Sequence, residues 1–147
     1  MTDSDCAKDE ESRKSISRAL HTMGEMITGW SSKMQATATL STTEAEYIAM
    51  SYCCQEVKFQ KSLIEELVGF SIRTSTVFSD NNAAMFLTRN HQVSQRMEHI
   101  DVRHHWIREL QESSVLTVKF VGTDYNTADL FTKKLSVSSF ERHHRTV

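Results

Sequence analysis

Residues 40–49, LSTTEAEYIA, begin the element that decides the fold, a long helix with acids near its start. Ser41 is a typical helix N-cap because its hydroxyl can accept a hydrogen bond from a free backbone N–H group. The acids Glu44 and Glu46 are favoured close to the positive end of the helix dipole. Apolar side chains then recur mostly at steps of three and four residues, and Gly69 follows as a stop signal. We therefore predict one long amphipathic helix between these two signals.

Shorter segments with β-type composition lie on both sides of this helix. The predicted strands are residues 15–23, 26–30, 75–79 and 115–121, and the first two form a meander around Gly24. Further helices are predicted at residues 83–87, from residue 94 or 95 to about residue 112, and from Asn126 or Thr127 onward. Strands that come first, followed by alternating helices and strands, favour an α/β fold with helices packed on a mixed sheet.

The composition is that of one ordinary globular domain. The 147 residues are 39% hydrophobic and 24% charged, and the formal net charge is −2. No apolar run approaches a membrane span and no signal peptide is visible, so we expect an intracellular protein. The three cysteines, Cys6, Cys53 and Cys54, lack metal-finger spacing, and we expect reduced thiols. Because the charge gives no general attraction to nucleic acid, any such contact must be local.

Four acids occupy positions where an enzyme could use them. Asp3 lies in a predicted strand, Glu46 in the first turn of the long helix, Asp80 at a strand end and Asp129 in the last helix. Each alone has an ordinary explanation as a helix-start surface acid or a turn residue. Their order and settings together favour a shared site.

Several stretches resemble one family, the ribonuclease H of copia-type retrotransposons. The stretches are residues 30–35 (WSSKMQ), 40–49, 78–84 (FSDNNAA), 99–109 (HIDVRHHWIRE) and 126–133 (NTADLFTK). The resemblance extends from Thr2 to about Phe140. It implies a ribonuclease H-like fold with a five-stranded mixed sheet flanked by helices. It also implies an endonuclease that cuts the RNA strand of RNA/DNA hybrids during reverse transcription.

The same resemblance assigns the catalytic and metal-binding roles. Matched motif by motif, both roles belong to Asp3, Glu46, Asp80 and Asp129. Two divalent ions, roughly 3.5 to 4 Å apart, would be held by these oxygen ligands around one scissile phosphate. Hard carboxylate ligands favour Mg²⁺, and we expect Mn²⁺ to substitute. Without metal, the clustered acids repel, and at least one carboxyl should hold its proton more tightly than a free one.

Basic residues along one predicted helix are candidates for contacts with the hybrid. They are Arg96, His99, Arg103, His104 and Arg108. A nuclease without sequence preference reads backbone shape and 2′-hydroxyls, so phosphate contacts would suffice. The alternative is that these side chains are solvated or pair with acids on the same helix.

The resemblance also sets expectations for boundaries and partners. We expect a ribonuclease H-like domain over residues 1–140. Separately, the adjacent histidines His143 and His144 indicate a disordered tail over residues 141–147. The chain begins two residues before Asp3, so the first strand should be truncated at its start. The expected partners are the RNA/DNA hybrid and a reverse transcriptase in the same polyprotein. The expected location is the cytoplasm, in a virus-like particle, or the nucleus.

Three alternatives remain open. The first is a catalytically silent retroelement remnant that keeps the fold and binds nucleic acid or protein. The second is an integrase or resolvase of the same fold superfamily, which residues 40–49 and 99–109 disfavour. The third is a structural zinc protein, which the spacing of the histidines disfavours.

Overall fold

The computed structural model describes residues 1–5, 14–89, 98–131 and 136–146. The strands are β1 (Thr2–Asp5), β2 (Ile16–Met23), β3 (Met26–Met34), β4 (Ser75–Ser79) and β5 (Leu116–Phe120). The α-helices are α1 (Thr42–Val68), α2 (Asn82–Arg89), α3 (Glu98–Glu112) and α4 (Val137–Thr146). Two 3-10 helices, Thr123–Tyr125 and Thr127–Phe131, follow β5. The chain is therefore an α/β protein.

The first three strands form an antiparallel meander in the order β1-β2-β3. Gly24 sits at the turn between β2 and β3 with a φ of 62°, a left-handed conformation that glycine adopts without steric cost. The pairing shifts register between His21 and Thr22, which marks a bulge near this turn. The predicted meander around Gly24 is confirmed, and β3 runs four residues further than predicted, to Met34 rather than Trp30.

The last two strands, β4 and β5, form a parallel pair connected through α2 and α3. β1 lies beside β4, with Cα atoms within 8 Å of one another. Among the described residues, however, hydrogen-bonded pairing gives a three-stranded and a two-stranded sheet. Five strands and the α/β class are therefore found, whereas the predicted single five-stranded mixed sheet is not confirmed. The physical reason is local: the four residues of β1 pair with β2, and no ladder joins them to β4.

Helix α1 has a well-defined start and end. The Ser41 hydroxyl accepts a hydrogen bond from the Glu44 backbone N–H at 3.1 Å, and the Glu44 carboxylate accepts one from the Leu40 N–H at 2.8 Å. At the other end, Gly69 has a φ of 75° and its N–H donates to the Glu65 carbonyl at 2.9 Å. Both signals predicted from the sequence are confirmed.

The first half of α1 is buried against the strands, and the second half is largely exposed. Tyr47, Met50 and Cys54 are fully buried in the core, whereas Phe59 and Leu67 lie mostly in solvent. Burial of the first half fixes the part of the helix from which Glu46 projects. Among the described residues, no helix has the length and apolar character needed to cross a membrane.

The cysteines of α1 are free thiols inside the core. Cys53 and Cys54 are both buried and form no disulfide. Burial raises the pKa of the Cys53 thiol to about 11 and that of Cys54 well above its usual value. Both therefore stay protonated and pack as small apolar groups, in agreement with the expectation of reduced thiols. Cys6 lies outside the described residues.

The end of the chain differs from the prediction of a disordered tail over residues 141–147. Residues 141–146 lie in α4, which contacts the 3-10 helix Thr127–Phe131. The Ser136 hydroxyl accepts a hydrogen bond from the Ser139 N–H at 3.3 Å, and the Ser136 carbonyl accepts one from the Phe140 N–H at 2.9 Å. His143 is buried. The serine cap and the burial of His143 account for this helix; residue 147 lies outside the described residues.

Candidate metal centre

Three acids from three separate elements meet at one place. Asp3 comes from β1, Glu46 is the fifth residue of α1, just past its first turn, and Asp80 directly follows β4. One carboxylate oxygen from each lies within 4.8 Å of the other two. Oxygen ligands lie about 2.1 Å from a shared Mg²⁺, so two of them are at most about 4.2 Å apart. The three carboxylates can therefore reach one ion with a shift of less than about 1 Å.

The cluster is largely shielded from solvent. Asp3 is 2% exposed, Glu46 is 8% exposed, and Asp80 is half-buried. The Ser4 backbone N–H donates to Glu46 Oε1 at 3.2 Å. Glu46 Oε2 is buried, and no described residue donates a hydrogen bond to it. A buried carboxylate oxygen without a donor is costly, and a divalent cation would compensate for it.

Proximity of the three acids changes the proton affinity of Glu46. Its pKa is raised from 4.5 to about 8, first by burial and then by the negative charge of Asp3. Asp80 raises this pKa further, while the hydrogen bonds with Ser4 oppose the rise. A pKa of about 8 means that Glu46 retains its proton at neutral pH when no cation is bound. This confirms the expectation that one carboxyl in the bare cluster holds its proton tightly.

The donor set fits a hard divalent cation. All three groups are carboxylates, and no described histidine or cysteine belongs to the group. Mg²⁺ and Mn²⁺ prefer such oxygen ligands, whereas structural zinc sites use thiolates and imidazoles. The geometry therefore suits the metal predicted from the sequence better than it suits zinc.

The turn that presents Asp80 is held by its neighbours. The Asn81 side-chain oxygen accepts a hydrogen bond from the Ala84 N–H at 2.9 Å, which caps α2. The Asn81 N–H donates to the Ser79 hydroxyl at 3.3 Å, and Ser79 is fully buried. The passage from strand to helix is thus fixed on both sides of Asp80.

Asp129 is buried near the cluster but does not belong to the three-acid group. It is 3% exposed and lies in the 3-10 helix Thr127–Phe131, not in an α-helix as predicted. Asn126, just before it, donates from Nδ2 to the Thr2 carbonyl at 3.0 Å and accepts at Oδ1 from the Ala128 N–H at 3.3 Å. The hydrogen bond from Asn126 therefore connects this segment to β1 at the residue before Asp3. The Asp129 carboxylate nevertheless lies outside the three-acid group.

Of the five predicted hybrid-binding residues, only Arg108 has a side chain within the described part of the chain. Arg96 and the side chains of His99, Arg103 and His104 lie outside the described part of the chain. Arg108 is half-buried, and its positive charge lowers the pKa of Tyr47, against the stronger raising effect of burial. Arg108 therefore lies close to a core residue of α1. The assignment of these five residues to nucleic acid stays a prediction.

Sequence reasoning missed two polar residues that hold the elements of the site together. Gln35 is 1% exposed and bridges β2 and α1, and Asn126 is fully buried against β1. Gln35 lies inside the stretch 30–35 that suggested the family, and its place in that stretch was the available signal. Nothing local in the sequence indicates that Asn126 reaches Thr2, 124 residues away.

Comparison with known proteins identifies relatives that match nearly the full length of the chain. The retrovirus-related Pol polyprotein from transposon TNT 1-94 of Nicotiana tabacum is 39% identical over 140 residues, which is 95% of this chain and 10% of that polyprotein. This chain is homologous to a segment of retrotransposon Pol polyproteins.

Two Arabidopsis thaliana polyproteins support the same homology. The retrovirus-related Pol polyprotein from transposon RE1 is 34% identical over 140 residues, covering 95% of this chain. That from transposon RE2 is 32% identical over 146 residues, covering 99% of this chain. The chain spans 10% of the length of each of these relatives. No family model matches the chain.

Proposed function

We propose that this chain is a metal-dependent endonuclease of ribonuclease H type that hydrolyses the RNA strand of RNA/DNA hybrids. The supporting observation is the cluster of Asp3, Glu46 and Asp80, whose ligand atoms lie within 4.8 Å of one another inside an α/β fold. Homology to retrotransposon Pol polyproteins supports an origin in a reverse-transcription polyprotein. In this proposal the two sheets and their helices are a ribonuclease H-like domain.

The three carboxylates would hold the metal, Mg²⁺ or Mn²⁺. When bound, divalent ions activate water as a nucleophile and offset charge on the phosphate being cleaved. Glu46 would give up its proton on metal binding, because its carboxylate becomes a ligand. Asp3 and Asp80 would fix the position of the site on the two sheets. Asp129, which lies in the 3-10 helix Thr127–Phe131, would move toward the same site when substrate or metal binds.

The proposed substrate is a duplex recognised through its backbone. With a net charge of −2, the chain needs local contacts to bind phosphates, and the basic residues proposed for them lie within the sequence of α3 or, for Arg96, two positions before it. Those residues are Arg96, His99, Arg103, His104 and Arg108. A reverse transcriptase in the same polyprotein would supply the hybrid by copying RNA into DNA, and the two domains would work in sequence.

One observation favours a second candidate, the catalytically silent remnant. Only three of the four predicted ligands form the group in the described structure, because Asp129 stays outside it. A centre with three carboxylates can bind a cation without positioning two ions for hydrolysis. This candidate keeps the fold and metal binding and lacks cleavage, so an activity assay separates the two.

The test is cleavage of a labelled RNA/DNA hybrid by the purified chain with Mg²⁺ or Mn²⁺. Asp80→Asn removes one ligand charge with little change in shape. Asp124→Asn makes the same chemical change at an exposed position outside the cluster and is the matched control. Mutation of a residue that hydrogen-bonds to a metal ligand typically lowers activity about 10- to 100-fold. Removal of a ligand, as in Asp80→Asn, should lower activity at least as much.

The outcomes separate the two candidates. The nuclease proposal predicts cutting of the hybrid, no cutting of single-stranded RNA, full activity of Asp124→Asn and loss of activity in Asp80→Asn. A folded, monodisperse wild type that binds Mn²⁺ but cuts nothing contradicts it and supports the silent remnant.

A further inference from the structure

Gln35 is a buried amide at the junction of the meander and α1. It follows β3 directly, and its backbone N–H donates to the Ser15 carbonyl at 2.8 Å, which continues the pairing of β3 with β2. Its side chain is 1% exposed. Side-chain Nε2 donates to the Ser17 hydroxyl at 2.8 Å and to the Ala45 carbonyl at 2.9 Å. Both amide protons are therefore used, one toward β2 and one toward α1.

The two hydrogen-bond partners of this amide, Ala45 and Ser17, are each connected to Glu46, which gives two structural routes from Gln35 to that carboxylate. Ala45 immediately precedes Glu46, so the first route fixes the backbone of the helical turn from which the carboxylate projects. Ser17 pairs in register with Ser4 of β1, and the Ser4 N–H donates to Glu46 Oε1. The second route therefore reaches the same carboxylate through the sheet.

The cost of burying this amide argues against a role in packing alone. Gln35 Oε1 is buried, and no described residue donates a hydrogen bond to it. An apolar side chain of similar size would fill the space without leaving a polar atom unpaired. What the amide provides and an apolar side chain would not is a pair of hydrogen bonds that link β2 to the start of α1.

We infer that Gln35 is a positioning residue for the metal centre, which sets Glu46 against Asp3 and Asp80 by joining Ser17 of β2 to Ala45 of α1. This inference rests on the metal-binding role proposed above. Gln35 itself touches neither metal nor substrate in this account. Its effect on the centre passes through the position of Glu46.

The test is calorimetric titration of metal-free protein with Mn²⁺, using Gln35→Met, Glu46→Gln and the double variant. Methionine keeps the length of the side chain and removes both donors. Gln111→Met is the matched control, because Gln111 accepts a hydrogen bond from the Val118 N–H at 3.3 Å in the packing of α3 on β5. The Gln111→Met variant carries the same substitution and loses one side-chain hydrogen bond, but the change lies outside β2 and α1.

Gln35→Met should weaken Mn²⁺ binding about tenfold, the size typical of residues that orient a metal ligand. In the Glu46→Gln background the same substitution should change the affinity less than about twofold, because the residue through which it acts is already altered. Gln111→Met should bind Mn²⁺ like the wild type. An unchanged affinity in Gln35→Met, or an equal loss in both backgrounds, overturns the inference.

Two further comparisons keep the test decisive. If Gln35→Met does not fold, Ser17→Ala removes one acceptor only and should still weaken Mn²⁺ binding; a folded Ser17→Ala with wild-type affinity overturns the inference. If the wild type and Glu46→Gln give the same titration, the proposed metal centre itself fails, and the inference with it. Loss of binding in Glu46→Gln with no effect of Gln35→Met rejects the inference alone.

Discussion

At the scale of single residues, the three clustered carboxylates determine the properties of the site. Glu46 is buried, faces Asp3 and Asp80, and has one oxygen without a hydrogen-bond donor among the described residues. The raised pKa of Glu46 is the measurable result of this arrangement. A proton or a cation must therefore compensate for the cluster in the folded state.

The raised pKa predicts how stability depends on pH in the absence of metal. The folded-state pKa of Glu46 is about 8, against 4.5 for the free group. The folded state binds this proton more tightly than the unfolded state does. The resulting stabilisation of the folded state is therefore complete below pH 4.5 and is lost as the pH rises to about 8. The contribution to the unfolding free energy should fall by up to about 1.4 kcal/mol per pH unit within this window.

Urea unfolding in EDTA at several pH values across this window measures the effect. Glu46→Gln retains an oxygen that can accept from Ser4 but does not titrate, so the wild type minus variant difference isolates Glu46. The unfolding free energy of the wild type minus that of Glu46→Gln should decrease as the pH rises. This pH dependence should be weaker when Mg²⁺ replaces EDTA. Parallel curves for the two proteins in EDTA would mean that Glu46 is not perturbed as described.

At the scale of elements, α1 determines where the site is formed. Its start is fixed by Ser41 and Glu44, and its first half is buried against strands of both sheets. These are local signals, and for that reason the helix was predictable from the sequence between Ser41 and Gly69. The turn at Gly24 was predictable for the same reason.

The cap at Ser41 leads to a prediction on stability. Ser41→Ala removes the acceptor for the Glu44 N–H and should lower the unfolding free energy by about 1 kcal/mol. Ser62→Ala is the matched control, since Ser62 is exposed within the same helix. There alanine should be neutral or slightly stabilising through its higher helix propensity. Equal effects of the two substitutions in urea unfolding would show that the cap does not stabilise the helix.

Relations between elements were less predictable than the elements themselves. The sequence indicated five strands, but the four-residue β1 pairs with β2 and forms no ladder with β4 in the described structure. Strand pairing depends on long-range geometry that composition and periodicity do not encode. The residues of α4 were expected to be disordered because two adjacent histidines were read as a tail, whereas Ser136 caps a helix there.

At the scale of the whole molecule, the segment that contains Asn126 and Asp129 meets the first strand of the chain. Asn126 joins the segment of Asp129 to β1 through the Thr2 carbonyl, across 124 positions of sequence. Of the candidate site, the sequence indicated Asp3, Glu46 and Asp80 through their motifs. It did not indicate Gln35 or Asn126, whose roles depend on partners that are distant in sequence and appear only when the chain is folded.

The hydrogen bond between Asn126 and the first strand predicts a large effect of one substitution. Asn126→Ala leaves the buried Thr2 carbonyl and Ala128 N–H without their partner and should cost about 2 to 3 kcal/mol of stability. Asn82→Ala, at an exposed position of α2, should change stability by less than about 0.5 kcal/mol. Chemical denaturation of both variants gives the comparison, and a loss at Asn126 no larger than at Asn82 would contradict the structural role.

Together, Asp3, Glu46 and Asp80 are proposed to bind a divalent cation. The most direct measurement is an anomalous difference map from crystals of the wild-type chain soaked in Mn²⁺. We expect a strong peak among these three carboxylates and no peak there in crystals of Asp80→Asn. A map with no peak at the three acids, or with its main peak at histidines elsewhere, would contradict it.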